Sequence, residues 1–151
     1  MAIIEISTFI NNTPEVVFDL SRSIDLHIES TAKTNEKAVA GVTSGLIGLN
    51  QTVTWEAYHL FKKRYFTSQI TEFNYPFSFT DQMIKGDLKY FLHRHIFERK
   101  GNATLMKDEI ILKAPYGYIG KIIMAFFLKN YFKGFLIQRN AVIKQYAEKN
   151  S

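Results

Sequence analysis

Apolar and polar residues alternate through much of this chain with a period of two, which places successive side chains on opposite faces of a strand. The alternation predicts strands over residues 2–10, 52–59, 64–73, 77–84, 88–97 and 104–112. The breaks between the later ones carry turn chemistry, at Asn74-Tyr75-Pro76, Lys85-Gly86-Asp87 and Lys100-Gly101-Asn102. From residue 52 onward the pattern is therefore a meander of antiparallel hairpins. After the first strand the period changes. Thr13 can cap a helix, Pro14 suits its first position and Glu15 favours its dipole, so a short helix is expected through Leu20. Residues 23–29 read as a second short helical piece, followed by a polar stretch at 31–37 and a turn or rim loop at 41–48. Pro115 and Gly117 stop the last strand, and residues 119–148 contain no proline. A helix of about 30 residues spans roughly 45 Å. That length suits a chain of 151 residues if the sheet curls around the helix.

Composition narrows the chemistry. One domain is the default for this length, and with no cysteine there are no disulfides, thiolate metal sites or cysteine nucleophiles. The start of the sequence has neither a basic leader nor an apolar run of signal-peptide length, so a cytoplasmic location is expected. The net charge of +5 is spread thinly apart from Lys62-Lys63-Arg64 and the series Lys121, Lys129, Lys133 and Arg139. That distribution argues against nucleic acid and suits an anionic membrane surface somewhat better. The apolar run 122–128 is far short of the ~20 residues that span a bilayer, so a soluble chain is expected.

The candidate site comes from the polar residues that interrupt the apolar face. Phe91, His93, His95 and Phe97 share one face of their strand; Phe77, Phe79, Asp81 and Met83 repeat the pattern before it, and Thr104, Met106, Asp108 and Ile110 after it. A loop at 99–102 would set Glu98 opposite Ala103, and hence His95 opposite Met106 and His93 opposite Asp108. An aspartate beside a histidine in an apolar setting either favours the imidazolium or fixes the neutral ring's tautomer, which serves a general base, an anchor for a ligand or a plain structural pair alike. Asp81 joins this face if the turn at 85–87 has three residues and leaves it if the turn has two. Trp55 shares a face with Val53, Ala57 and His59 and is expected in a cavity wall. His27 and Glu29 stand either at the cavity mouth or on an exposed helix end, and Tyr116 and Tyr118 either stack on a ligand or pack ordinarily. His93 and His95 with Asp108 or Asp81 have the spacing of a sheet metal site. No metal or cofactor is expected there, however. The glycines at 41, 45 and 48 lack the following lysine of a phosphate loop, and Ser44 lacks the glycine two places before it that a nucleophile elbow needs.

The order of elements, with the segments Thr13-Pro14-Glu15-Val16-Val17-Phe18-Asp19, Val53-Thr54-Trp55-Glu56-Ala57, residues 79–86, His93-Arg94-His95-Ile96-Phe97 and Asp108 with Pro115-Tyr116-Gly117, resembles the START-like or Bet v 1-like (SRPBCC) superfamily. Within it the likeness is to bacterial proteins described as polyketide cyclase/dehydrase or lipid-transport-like. The resemblance implies an α+β helix-grip fold over residues 1–151, with a curved antiparallel sheet wrapped around the last helix and a cavity between them. It implies binding or transport of an apolar small molecule, whether lipid, polyketide-like or isoprenoid. The expected walls are Trp55, Phe77, Phe79, Met83, Phe91, Phe97, Met106, Met124 and Phe127, with Asp81, His93, His95, Asp108 and Tyr116 as further contacts. The alternative is a cyclase or dehydratase in which His93 is the general base and Asp108 orients it. A third reading is docking on a membrane surface through the apolar first half of the last helix and its lysines. Superfamilies of this kind hold enzymes, carriers and receptors, so fold alone leaves these open.

Overall fold

The computed structural model describes residues 1–59, 61–115 and 117–149, the side chains of residues 118–121 and 123–125 excepted. Strand β1 (Ala2–Ile10) is followed by helices α1 (Pro14–Ser21) and α2 (Ile24–Ser30) and a single 3-10 turn at 32–34. Strands β2 (Lys37–Gly41), β3 (Thr52–His59), β4 (Lys62–Asn74), β5 (Ser78–Lys85), β6 (Tyr90–Lys100) and β7 (Ala103–Lys113) come next, and helix α3 (Tyr118–Lys149) ends the chain. The seven strands form one sheet in the order β1-β7-β6-β5-β4-β3-β2, every pair antiparallel.

Local chemistry explains the short elements. Pro14 opens α1 as expected, but the Thr13 hydroxyl makes no capping bond; the Thr13 N–H donates to Asn12 Oδ1 instead at 2.7 Å. Ser23 caps α2 by accepting from the Leu26 N–H at 3.2 Å. Strand β2 falls where the sequence reads as loop. Its five residues make one edge of the sheet, broken by a bulge between Ala38 and Ala40 and ended by Gly41 at φ +73°. A side chain there would clash with the Thr52 carbonyl, since a Cβ would stand 2.2 Å from its oxygen.

The hairpin joining β6 and β7 is tighter than expected. Lys100 faces Ala103 across the two-residue turn Gly101-Asn102, so His95 pairs with Asp108, His93 with Ile110 and Phe97 with Met106. The expected pairing is thus displaced by two residues. A slip of two preserves the face of every side chain, which a slip of one would reverse.

Helix α3 turns a stripe of Leu128, Leu136, Ile143 and Ala147 into the concave side of the sheet, at steps of seven or eight residues and a final four. Two apolar clusters result. One gathers Phe18 of α1 with Ile10, Phe79, Phe97, Met106 and Ile143; the other holds Ile4, Phe91, Ile110, Leu112, Leu128 and Leu136. Phe18 lies 5.0–5.2 Å, centroid to centroid, from Phe73, Tyr75, Phe79 and Phe97 and plugs that end of the concave face. Among the described residues no helix is long and apolar enough to cross a membrane.

Candidate functional site

The rest of the concave face is left open as a pocket of about 270 Å³ between the sheet, α2 and α3. Trp55, Ile70, Phe79 and Phe91 line it from the sheet, Phe132 and Phe135 from the helix, and Ile47 from the loop between β2 and β3. The loop is tied to α2 by the Ile24 N–H donating to the Gly45 carbonyl at 2.9 Å and the Gly45 N–H donating to Asp25 Oδ2 at 3.0 Å.

Two polar groups interrupt the apolar wall. The first lies on the sheet. His93 Nε2 bonds Asp108 Oδ1 at 2.7 Å and His95 Nε2 bonds Asp81 Oδ2 at 2.7 Å. The rings of His93 and His95 stack with centroids 3.7 Å apart, and Phe79 covers the other face of His95 at 4.1 Å. Asp108 is fully buried. Its second oxygen accepts from Asn140 Nδ2 at 2.7 Å, and Arg139 Nη1 stands 3.6 Å from its first. Arg139 in turn donates to Asn140 Oδ1 at 2.9 Å and to the Ser21 carbonyl at 3.3 Å.

These contacts set the charges. Burial alone would raise the Asp108 carboxyl, but the hydrogen bond and charge of His93 and the charge of Arg139 hold it far below the usual carboxylate range. Burial acts on Asp81 in the same way, and the bond from His95 with the charges of His93 and His95 keeps it low. Burial, reinforced by the charge of His93, pushes His95 down to about 4. His95 is therefore neutral at pH 7 with its hydrogen on Nε2, where the Asp81 carboxylate accepts it. Its Nδ1 lone pair is buried without a hydrogen-bond partner, 3.6 Å from Asp108 Oδ1.

Asp81, His93 and His95 each bring one ligand atom within 4.8 Å of the others. The face-to-face stacking of the two rings keeps their in-plane lone pairs from meeting at one point, and each Nε2 is committed to a carboxylate. With Asp108 included, these residues are two coupled His–Asp pairs, His93 with Asp108 and His95 with Asp81, in a donor–acceptor network.

The second polar group stands where α2, β3 and α3 meet, and the sequence reading did not assemble it. Glu36, 8% exposed, accepts from His27 Nε2 at 2.5 Å and from His59 Nε2 at 3.3 Å. His59 Nδ1 is hydrogen-bonded to the Tyr131 hydroxyl, and His27 lies over Trp55. Burial would raise Glu36, but the charge and hydrogen bond of His27 and the bond of His59 bring it down to about 2. All four residues line the pocket. His27 thus takes the mouth position; Glu36 carried no signal in a polar stretch, and His59 and Tyr131 lie 72 positions apart.

Of the expected contacts, Trp55, Phe79, Asp81, Phe91, His93 and His95 line this pocket, and Asp108 supports it from behind His93. Phe77 does not: it belongs to the turn before β5, donates its N–H to the Asn74 carbonyl and is 54% exposed. Phe97 and Met106 are fully buried in the apolar cluster around Phe18 and do not line the pocket. Met83 packs partly buried on the second apolar cluster, its sulfur folded toward Gly86. Phe127 is half exposed because it stands one position off the inward stripe that Leu128 begins. Tyr116 and the side chain of Met124 lie outside the described residues.

No protein-family model matches the chain, and no curated protein matches its sequence. Its fold has many solved counterparts. A START superfamily protein from Mycobacterium smegmatis aligns over all of both chains with a TM-score of 0.72 and 10% identity. A major latex-like protein from Panax ginseng aligns over 97% of each chain with a TM-score of 0.66 and 13% identity. The di-domain aromatase/cyclase from the steffimycin biosynthetic pathway gives 0.79 at 9% identity, over 99% of this chain and 51% of that one. At such identities the likeness is one of architecture: this chain has the helix-grip fold shared by START and Bet v 1-like proteins.

Proposed function

We propose that the chain binds or carries an apolar small molecule, of lipid, polyketide-like or isoprenoid type, in the pocket between its sheet and α3. The observation that carries this reading is the pairing of aromatic walls with a few fixed polar groups in one concave space, the usual composition of a small-molecule site. The neighbours described as START and latex-like proteins support the same reading. A cytoplasmic location fits it, and exposed Ile122, Phe126 and Phe127 beside Lys129 and Lys133 are the surface a lipid membrane would meet. Native mass spectrometry of the protein purified from its own cells tests the reading. A discrete apolar compound of fixed mass is the expected result; a protein that is always empty and takes up no apolar compound offered to it overturns the assignment.

A second reading has its own support. His93 lines the pocket with one nitrogen held by Asp108, the arrangement of an oriented base, and one fold neighbour is described as an aromatase/cyclase. In a cyclase or dehydratase, His93→Gln would cut turnover of a β-hydroxy carbonyl substrate by about 10²–10⁴ while binding stayed nearly intact. In a carrier the same change weakens binding by no more than about 0.5–1.5 kcal/mol, and no product forms in either protein.

A further inference from the structure

The Glu36 group has a direction that runs out to a hydroxyl on α3. Ionised Glu36 can only accept hydrogen bonds, so the Nε2 of His27 and of His59 must each carry a hydrogen. In neutral His59 the remaining nitrogen, Nδ1, is then a bare lone pair. It takes the Tyr131 hydroxyl hydrogen. The Tyr131 proton is thereby turned away from the pocket, and what its oxygen can still offer is acceptance. Carboxylate, imidazole and phenol thus form a polarised chain with an acceptor at its pocket end.

The framework around the chain is firm. Arg64 Nε donates to the His59 carbonyl at 2.9 Å, and its Nη1 donates to Asp87 Oδ2 at 2.8 Å. His59 is also flanked by the rings of Tyr131 and Phe135 at 5.6 and 5.7 Å. Along α3, Tyr131 precedes Arg139, which backs the sheet group, by eight residues, or about 12 Å of helix. Phe132, Phe135 and Leu136 fill the interval.

We propose that Glu36, His59 and Tyr131 form a second recognition subsite, one that takes a hydroxyl donor on the ligand at the end remote from His93 and His95. The inference rests on the pocket being a ligand site and adds the sense of the hydrogen bond: an alcohol, phenol or enol is accepted there in preference to an ether of the same shape. Glu36 and His59 are positioning residues, and Tyr131 makes the contact.

Equilibrium dialysis with 2-naphthol and 2-methoxynaphthalene tests it, since the two differ in having or lacking the hydroxyl hydrogen. The intact chain should bind the naphthol about two- to tenfold more tightly, the worth of one net hydrogen bond. Tyr131→Phe should erase the difference while leaving the ether's affinity unchanged. His59→Phe should release the Tyr131 proton toward the pocket and reverse the preference, an outcome that general loosening of the rim would not produce. Equal binding of both probes by the intact chain overturns the subsite and leaves the pocket reading standing, as does undiminished discrimination in both variants. Failure of the intact chain to take up either probe overturns the pocket reading and the subsite with it.

Discussion

The two histidine–carboxylate groups of the pocket use the same chemistry and are built in opposite ways. Asp81, His93, His95 and Asp108 stand on three neighbouring strands, with α3 closing over them through Arg139 and Asn140. Glu36, His27, His59 and Tyr131 come from a connection, a short helix, a strand end and the long helix. The sheet group is the more deeply buried of the two, although Asp81, His93 and His95 still face the pocket. The rim group is half open: the His27 and His59 side chains keep about a fifth of their surface, at 24% and 21%. The contrast implies a division of labour in which the first group contributes to stability and orientation and the second to selectivity.

The largest expected effect would break or uphold that division. Asp108→Ala leaves Arg139 and His93 without their buried carboxylate and should cost about 3–5 kcal/mol in urea unfolding. Glu36→Ala should cost about 1–3 kcal/mol, because water can reach its partners. Equal losses would show that the rim is as structural as the sheet.

Acid should separate the groups along the pH axis. His95 falls from 6.5 to about 4 on folding, so the unfolded chain takes up this proton first and stability is lost as pH drops through that window. The full amount is on the order of 3 kcal/mol. Glu36 is lowered from 4.5 to about 2, so its contribution is complete above pH 4.5 and disappears as pH falls toward 2. Urea unfolding at stepped pH should show the upper limb flattened in His95→Gln, whose amide still donates to Asp81. The lower limb should remain.

The smallest effect sharpens the boundary of the pocket. Phe77→Ala should change stability by no more than about 0.5 kcal/mol and apolar uptake not at all, as befits an exposed turn residue. Phe91→Asp, on the inner face of the neighbouring strand β6, should abolish uptake, as a buried ring contributes about 1.5–3 kcal/mol of transfer free energy. A matching loss from Phe77 would place it back in the wall.

The sheet group was legible because period-two alternation is a property of the chain itself. His93, His95 and Asp108 meet on one face even though the true hairpin turn is two residues shorter than the expected one. Parity protected that reading. Phe77 misled because alternation says nothing about where a strand starts, and Phe97 and Met106 because a face can be filled by another element, here Phe18 of α1. β2 was missed since Lys37-Ala38-Val39-Ala40-Gly41 carries one β-branched residue and little burial. Glu36, His59 and Tyr131 were out of reach for a different reason. Their convergence depends on how far the sheet curls and where α3 crosses it, which no local pattern encodes.

One contact gives the molecule an optical readout of its own. Trp55 is the sole tryptophan in the sequence, and the His27 ring lies 4.3 Å from it at an angle of 36°. Both residues line the pocket, so an aromatic guest that enters it meets the indole beside this ring. Trp55 emission should therefore register the arrival of an aromatic guest, which gives the pocket an unlabelled optical readout from a single chromophore.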